Sequence, residues 1–269
     1  MDTSRLAKRL ARLQERKGGG SGKNIFFKAP DDGKKATVRL VPYPHDENNE
    51  PFLEIGWHYN VGGHRSLVCP RETYGDPCPV CELAEQFRNM GGKDNWRIFK
   101  NLSPKLRYYS PVIVRGSEDE GIKLWGYGTT IYEDLISKFM DPDWGNLADP
   151  MGGRDVKVWT IPKGAAGNDT DFAKPKMDVS PSQSQMLSKK SDMKTLIENI
   201  PDYLGDGESF KAMSYQELQE IVAKMADFDE DDSSEDNFYS SDTTETEVNN
   251  TSPSEGSLED KLSALFKDD

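Results

Sequence analysis

"PFLEIGWHYNVGGHRSLVCPRETYGDPCPVC", residues 51–81, contains all three cysteines of a 269-residue chain. Leu53, Ile55, Trp57 and Tyr59 alternate with Glu54, Gly56 and His58, the period-2 pattern of a strand. Gly62-Gly63 then reads as a two-residue hairpin turn, with a returning strand through Cys69. Pairing through that turn sets His58 opposite Leu67 and Gly56 opposite Cys69. His58 and Cys69 become diagonal neighbours on one face, roughly 7–8 Å apart at Cα, within reach of a single ion. His64 sits at the turn, about 16 Å along the strand from Cys69, and is the poorer ligand.

Cys78 and Cys81 supply the C-x2-C spacing that lets two thiolates share a tetrahedral ion. A helix is predicted to follow, because Val80, Leu83, Ala84 and Phe87 recur at helical spacing before Gly91-Gly92. The N-terminal "MDTSRLAKRLARLQERKGGG" has no apolar signal core, and no run approaches the ~18 apolar residues of a membrane span, so the expectation is a soluble intracellular chain. In a reducing compartment an odd number of clustered cysteines favours metal over disulfides, although three inert buried thiols are an alternative. The expected cofactor is one structural Zn2+ per chain, held by His58, Cys69, Cys78 and Cys81. A formal match to the zinc deaminase signature also exists, His45-Asp46-Glu47 with Pro77-Cys78-Pro79-Val80-Cys81. Its histidine and glutamate lie in a Pro- and Asn-rich loop and it leaves Cys69 without a role, so the chain is read as a non-enzyme.

Charge divides the chain into three. Residues 227–269 carry fifteen Asp and Glu against Lys261 and Lys267, which equals the whole net charge of −13. Residues 1–28 hold eight Lys and Arg against Asp2 and Glu15. The expected organisation is a basic arm over 1–23, a core over 24–226 with a zinc subdomain at about 52–92, and an acidic, disordered tail over 227–269. "KGGGSGKN" reads as a hinge behind the arm. In the arm, Leu6, Leu10 and Leu13 fall on one helical side among Arg5, Lys8, Arg9 and Arg12, a pattern that also suits a membrane surface. At the far end Leu258, Leu262, Leu265 and Phe266 form an apolar stripe suited to docking in a partner's groove.

Strand-like runs recur at "KKATVRLV", "PFLEIGWHY", "SLVC", "YYSPVIV", "GIKLWGYG" and "RDVKVWTI", with helices near 82–90 and 131–140. This predicts an α+β fold with a largely antiparallel sheet. A last helix opens on a Ser214-x-x-Glu217 capping box and buries Leu218, Ile221, Val222 and Met225.

Between Lys93 and Arg115 cations interleave with rings: Trp96, Arg97, Phe99, Lys100, Lys105, Arg107, Tyr108 and Tyr109. Rings stack on unpaired bases while Lys and Arg follow phosphates, so the segment suits a single-stranded nucleic acid. The alternation of "GIKLWGYG" places Lys123, Trp125 and Tyr127 opposite Ile122 and Leu124, which predicts one apolar and one cationic-aromatic side. For any single ring, core packing is the competing reading.

Taken together, the basic arm, the "PFLEIGWH…C…CPVC" block and the acidic tail resemble the helix-destabilising single-stranded DNA-binding proteins of T-even-type bacteriophages. His58, Cys69, Cys78 and Cys81 match that family's His-Cys-Cys-Cys zinc ligands. The resemblance implies an OB-fold barrel core with a zinc subdomain, and DNA-facing rings that include Tyr108, Tyr109 and Trp125, with Tyr74 corresponding to a further ring. It implies cooperative coating of single strands by neighbouring copies, and a tail that recruits phage replication, recombination and repair proteins in the cytoplasm of an infected host. The arm departs from the family in spreading its cluster over "TSRLAKRL", and the core counterpart is suggested by "KNLSPK". The alternative is a zinc-bearing adaptor that binds RNA or protein.

Overall fold

The computed structural model describes residues 25–205 and 209–227. The arm residues Arg5, Lys8, Arg9 and Arg12, and the tail residues Leu258, Leu262, Leu265 and Phe266, lie outside the described residues.

Among the described residues eight strands are formed: β1 (Phe26–Phe27), β2 (Ala36–Leu40), β3 (Leu53–Val61), β4 (His64–Val68), β5 (Lys105–Val114), β6 (Ile122–Tyr127), β7 (Arg154–Ile161) and β8 (Lys174–Gln183). The helices are α1 (Pro70–Tyr74), α2 (Pro79–Met90), α3 (Lys93–Leu102), α4 (Thr129–Met140), α5 (Lys190–Glu198) and α6 (Tyr215–Asp227). The sheet runs β1-β6-β5-β2-β7-β8, with β3 pairing both β4 and β5. The β2–β5, β2–β7, β3–β4, β5–β6 and β7–β8 pairs are antiparallel and the short β1–β6 pair is parallel. The fold is thus mixed α+β with an antiparallel-rich sheet, and each of the six strand-like runs forms a strand.

The chain divides into two compact units. Among the described residues one comprises 25–55, 106–205 and 209–210, and the other 56–105 and 211–227. In the first unit, Val38 and Leu40 of β2, Val112 of β5, Val156 and Val158 of β7 and Val179 of β8 share a core with Ile131 and Leu135 of α4. The second unit buries Leu67, Val80, Leu83, Ala84 and Phe87 with Ile98 and Leu102 of α3 and Leu218, Ile221 and Val222 of α6. The capping box of α6 is formed as expected: Ser214 N–H and Oγ–H donate to Glu217 Oε2 at 2.8 Å, and Glu217 N–H donates back to Ser214 Oγ at 3.3 Å.

Burial departs from simple alternation in two strands, and in β6 it corrects the expectation of one apolar and one cationic-aromatic side. β3 keeps Leu53 and Ile55 buried, but past Gly56 burial moves to His58 and Val61 while Trp57 is half-buried and Tyr59 exposed. The strand crosses between units after Ile55, and the buried groups of the second unit lie on the His58 side. In β6, the face carrying Trp125 and Tyr127 is also core, because it aligns with Tyr108 and Ser110 of β5 and packs with Ile131 of α4. Leu124, on the opposite face, is fully buried as well. There is no division into an apolar and a cationic-aromatic side.

Elements not anticipated are β1, β8, α1, α3 and α5. β8 contains Pro175 and Pro181, residues that a strand tolerates at a sheet edge, and β8 is the terminal strand of the order.

Candidate metal centre and nucleic-acid interface

The hairpin register is the one the turn dictates. Trp57 pairs with Val68, His58 with Leu67 and Tyr59 with Ser66, around a turn with φ of 53° at Gly62 and 79° at Gly63. Cys69 N–H donates to Gly56 O at 2.8 Å, which seats Cys69 diagonally from His58. Cys69 then caps α1 by accepting from Glu72 N–H, and Cys78 stands at the N-cap of α2 with Cys81 in its first turn. The N-terminus of the twelve-residue α2 favours thiolates there.

The four side chains converge in the second unit. The ligand atoms of His58, Cys69, Cys78 and Cys81 all lie within 4.8 Å of one another, and all four residues are buried. Cys69 Sγ is 3.5 Å from Cys81 Sγ, and His58 Nε2 is 3.4 Å from Cys78 Sγ and 3.6 Å from Cys81 Sγ. A regular tetrahedron built on zinc–sulfur and zinc–nitrogen bond lengths has S–S edges of about 3.8 Å and S–N edges of about 3.5 Å. These separations therefore fit one four-coordinate ion. His58 Nδ1 lies 2.7 Å from the Leu102 carbonyl, which fixes a proton on Nδ1 and leaves Nε2 to ligate. Nothing in the residue pattern points to this partner, because it is a backbone oxygen at the end of the unanticipated α3. His45, the histidine of the deaminase match, is not in the cluster; its Nε2 meets the Ile200 carbonyl at 2.8 Å. His64 sits half-buried at the turn.

Taken by themselves, the four groups share protons. Burial would lower the His58 pKa, but hydrogen bonds and charge from Cys69 and Cys78 outweigh it and hold the imidazole up at about 9. Contacts with Cys69 and Cys81 drive the Cys78 thiol down, while contacts with Cys69 and Cys78 drive the Cys81 thiol up. The opposite directions at Cys78 and Cys81 are those of two buried thiols that cannot both ionise side by side without a cation between them.

Gly56 makes the approach of β3 to α1 possible. A Cβ there would lie 2.4 Å from Glu72 Cβ and 3.2 Å from Cys69 Cβ. Gly56→Ala is expected to push Cys69 out of register and lower metal affinity on the order of 10-fold or more, as loss of a supporting contact does. Competition with a chromogenic chelator measures it; an unchanged affinity would show that α1 moves freely.

The ring and cation candidates divide between the units. In the second, Trp96 is 46% exposed on α3, its ring 5.0 Å from that of Phe99, with Lys100 Nζ 5.8 Å from the Trp96 centroid and Arg88 5.5 Å from that of Phe99. Arg97 is exposed beside Asp94 at 3.7 Å, Lys105 donates to the Lys100 carbonyl at 2.9 Å, and Tyr74 is half-buried at the end of α1. In the first unit Arg107 is exposed and Tyr109 half-buried. The Tyr109 ring lies over Gly126, where a Cβ would come within 2.8 Å, and meets Phe210 at 4.7 Å and Phe26 at 6.0 Å. Tyr108, Trp125 and Tyr127 are in the core: Tyr108 stacks on Tyr132 at 3.7 Å and Tyr127 Oη shares a 2.6 Å hydrogen bond with Ser110 Oγ. Lys123 is half-buried, with Nζ 3.2 Å from Glu120. Of these candidates, the exposed Trp96 with the half-buried Phe99 in one unit and the half-buried Tyr109 in the other remain accessible. Phe26 and Phe210 were missed, since both lie outside the Lys93–Arg115 segment and the β6 run that supplied the ring candidates.

No helix among the described residues is long and apolar enough to cross a membrane. The family described as gp32 DNA binding protein like matches residues 32–226, a span that includes the whole metal cluster and every ring above except Phe26. No curated protein shows significant sequence similarity to the chain.

Proposed function

Because the chain belongs to the gp32-like DNA-binding protein family, we propose that it coats single-stranded DNA with little sequence preference and catalyses no reaction. The observation that carries this reading is the exposed Trp96 ring, packed on the half-buried Phe99 and flanked by Arg97 and Lys100, within the span matched to the family. Rings of this kind accept any unpaired base, and the cations follow the backbone. The ion is proposed to be zinc, because one imidazole and three thiolates in a closed tetrahedral set suit it and leave no open position for chemistry.

The remaining parts of the reading rest on the family resemblance and on charge. The first unit is read as an OB-fold barrel, supported by the β6-β5-β2-β7-β8 order and by α4 between the third and fourth strands of that set. The basic arm is read as the contact between neighbouring copies on a strand. The acidic tail is read as the attachment for replication, recombination and repair proteins, with the infected bacterial cytoplasm as the setting.

Titration of tryptophan fluorescence with homopolymeric DNA, homopolymeric RNA and duplex tests the proposal. Strong quenching on DNA single strands and much weaker duplex binding are expected; preferential binding of RNA or duplex would overturn it. Within that assay, Trp96→Ala should cost about 1–3 kcal/mol of affinity if the ring stacks on a base. Arg107→Ala should instead reduce the salt dependence by roughly 0.7 in slope, the share of one phosphate contact. Both residues are exposed, so the melting temperature should hardly change.

A further inference from the structure

The first unit carries a second cationic-aromatic surface, away from β5 and β6. In β7, Val156 and Val158 fill the core, so Lys157, Trp159 and Ile161 stand on the opposite face. Register brings Asp178, Lys176 and Lys174 of β8 beside them in turn, and Thr37 of β2 beside Lys157. Lys35, just before β2, holds its Nζ 4.1 Å from the centroid of the Trp159 ring.

The cations of this face are in excess. Lys35, Lys157 and Lys174 are exposed and Lys176 is half-buried, and none of the four forms an ion pair among the described residues. Their neighbours Lys34 and Lys163 are neutralised, by Asp32 at 2.7 Å and Asp171 at 2.9 Å. Two carboxylates occur on the same face of β7 and β8. Asp155 is held by Arg39 and Arg115 at 3.1 and 2.8 Å, which leaves Asp178 against four lysines.

We propose that this β2–β7–β8 face is a second contact surface for single-stranded DNA, an inference that rests on the reading given under Proposed function. Residues on one face of a strand recur about every 6.6–6.8 Å, a step comparable to the phosphate repeat of a stretched single strand. Lys157 and Trp159 on β7, and Lys174 and Lys176 on β8, follow that step. A polyanion of any kind would answer the lysines, but Trp159 adds a ring on which a base can stack once Lys35 moves from it to a phosphate. Its residues are separate from Trp96, Phe99 and Tyr109, so a strand that engages this face as well as those rings must be longer than one that engages those rings alone.

Lysine-acetylation footprinting of the full chain, with oligothymidylates of increasing length, tests the inference together with the double variant Lys157→Glu/Lys176→Glu. Lys35, Lys157, Lys174 and Lys176 should be protected by long strands and remain reactive with short ones. The double variant should bind long strands on the order of ten-fold more weakly and lose about 1.4 in salt slope, two contacts' worth, while short-strand affinity stays as in the wild type. Lys157→Gln/Lys176→Gln should show the same length dependence with a smaller loss, which separates lost contacts from introduced repulsion. Unprotected lysines, an unchanged long-strand affinity, or equal losses on both lengths would overturn the second surface while wild-type binding to short strands upheld the main reading. Failure of the wild-type protein to bind short strands would instead remove the main reading, and this one with it.

Discussion

Replacing His58 with alanine should empty the metal centre and unfold the unit built around it, whereas replacing His64 should do neither. His58 is fully buried, its Nε2 stands 3.4 and 3.6 Å from two cysteine sulfurs, and its Nδ1 ties β3 to the end of α3 through the Leu102 carbonyl. Deleting the imidazole removes one of four ligands and leaves three buried sulfurs around a void. The expected fall in metal affinity exceeds the ~100-fold that loss of an outer-shell partner can cost. Metal binding to such a site is folding free energy, so the stabilisation of the second unit should go with the ion. Its buried core is small, drawn from α2, α3, α6 and the β3–β4 hairpin, and offers little in reserve. Metal content by atomic absorption, read beside thermal unfolding, decides the matter. Full retention of the ion by the His58→Ala protein would exclude His58 as a ligand, and a loss in the His64→Ala protein would do the same for the hairpin register.

The convergence of His58, Cys69, Cys78 and Cys81 was legible in the sequence because each step toward it is local. A Gly-Gly turn sets the hairpin register, a two-residue period sets the face, and C-x2-C before a helix sets the second pair of ligands. No partner distant in sequence is needed until Leu102, and that one was not foreseen. The strands were legible for the same reason, being short alternating runs between turns. β8 was not, because "KPKMDVSPSQ" has two prolines and few apolar residues, and only its pairing with β7 makes it a strand. α3 was hidden by the same residues that drew attention to it. Its cations and rings suggested a binding surface, while just Ile98 and Leu102 are buried to anchor it as a helix.

Ring exposure was the least legible property, and Trp125 shows why. The sequence places it correctly on the face shared with Lys123 and Tyr127, but which face of β6 is covered depends on α4, a helix whose packing the strand's own residues do not encode. The structure leaves Trp125 3% exposed, with its ring 4.5 Å from that of Tyr127 and its cross-strand partner at Ser110. Trp125→Ala is therefore expected to destabilise the first unit by about 3–5 kcal/mol, the cost of a large cavity in a packed core. That is a large part of the ~5–15 kcal/mol that holds a typical domain together, and more than the ~1–3 kcal/mol that an exposed stacking ring contributes to binding. Urea denaturation of the variant should show a lowered midpoint. Trp125→Phe should recover much of the loss, since a smaller ring still fills part of the space. DNA affinity, measured where the variant remains folded, should then fall less than it does for Trp96→Ala. A Trp125→Ala protein that unfolds like the wild type and yet binds single strands weakly would place this ring at the DNA. The family resemblance would then have been the better guide to β6 than its packing.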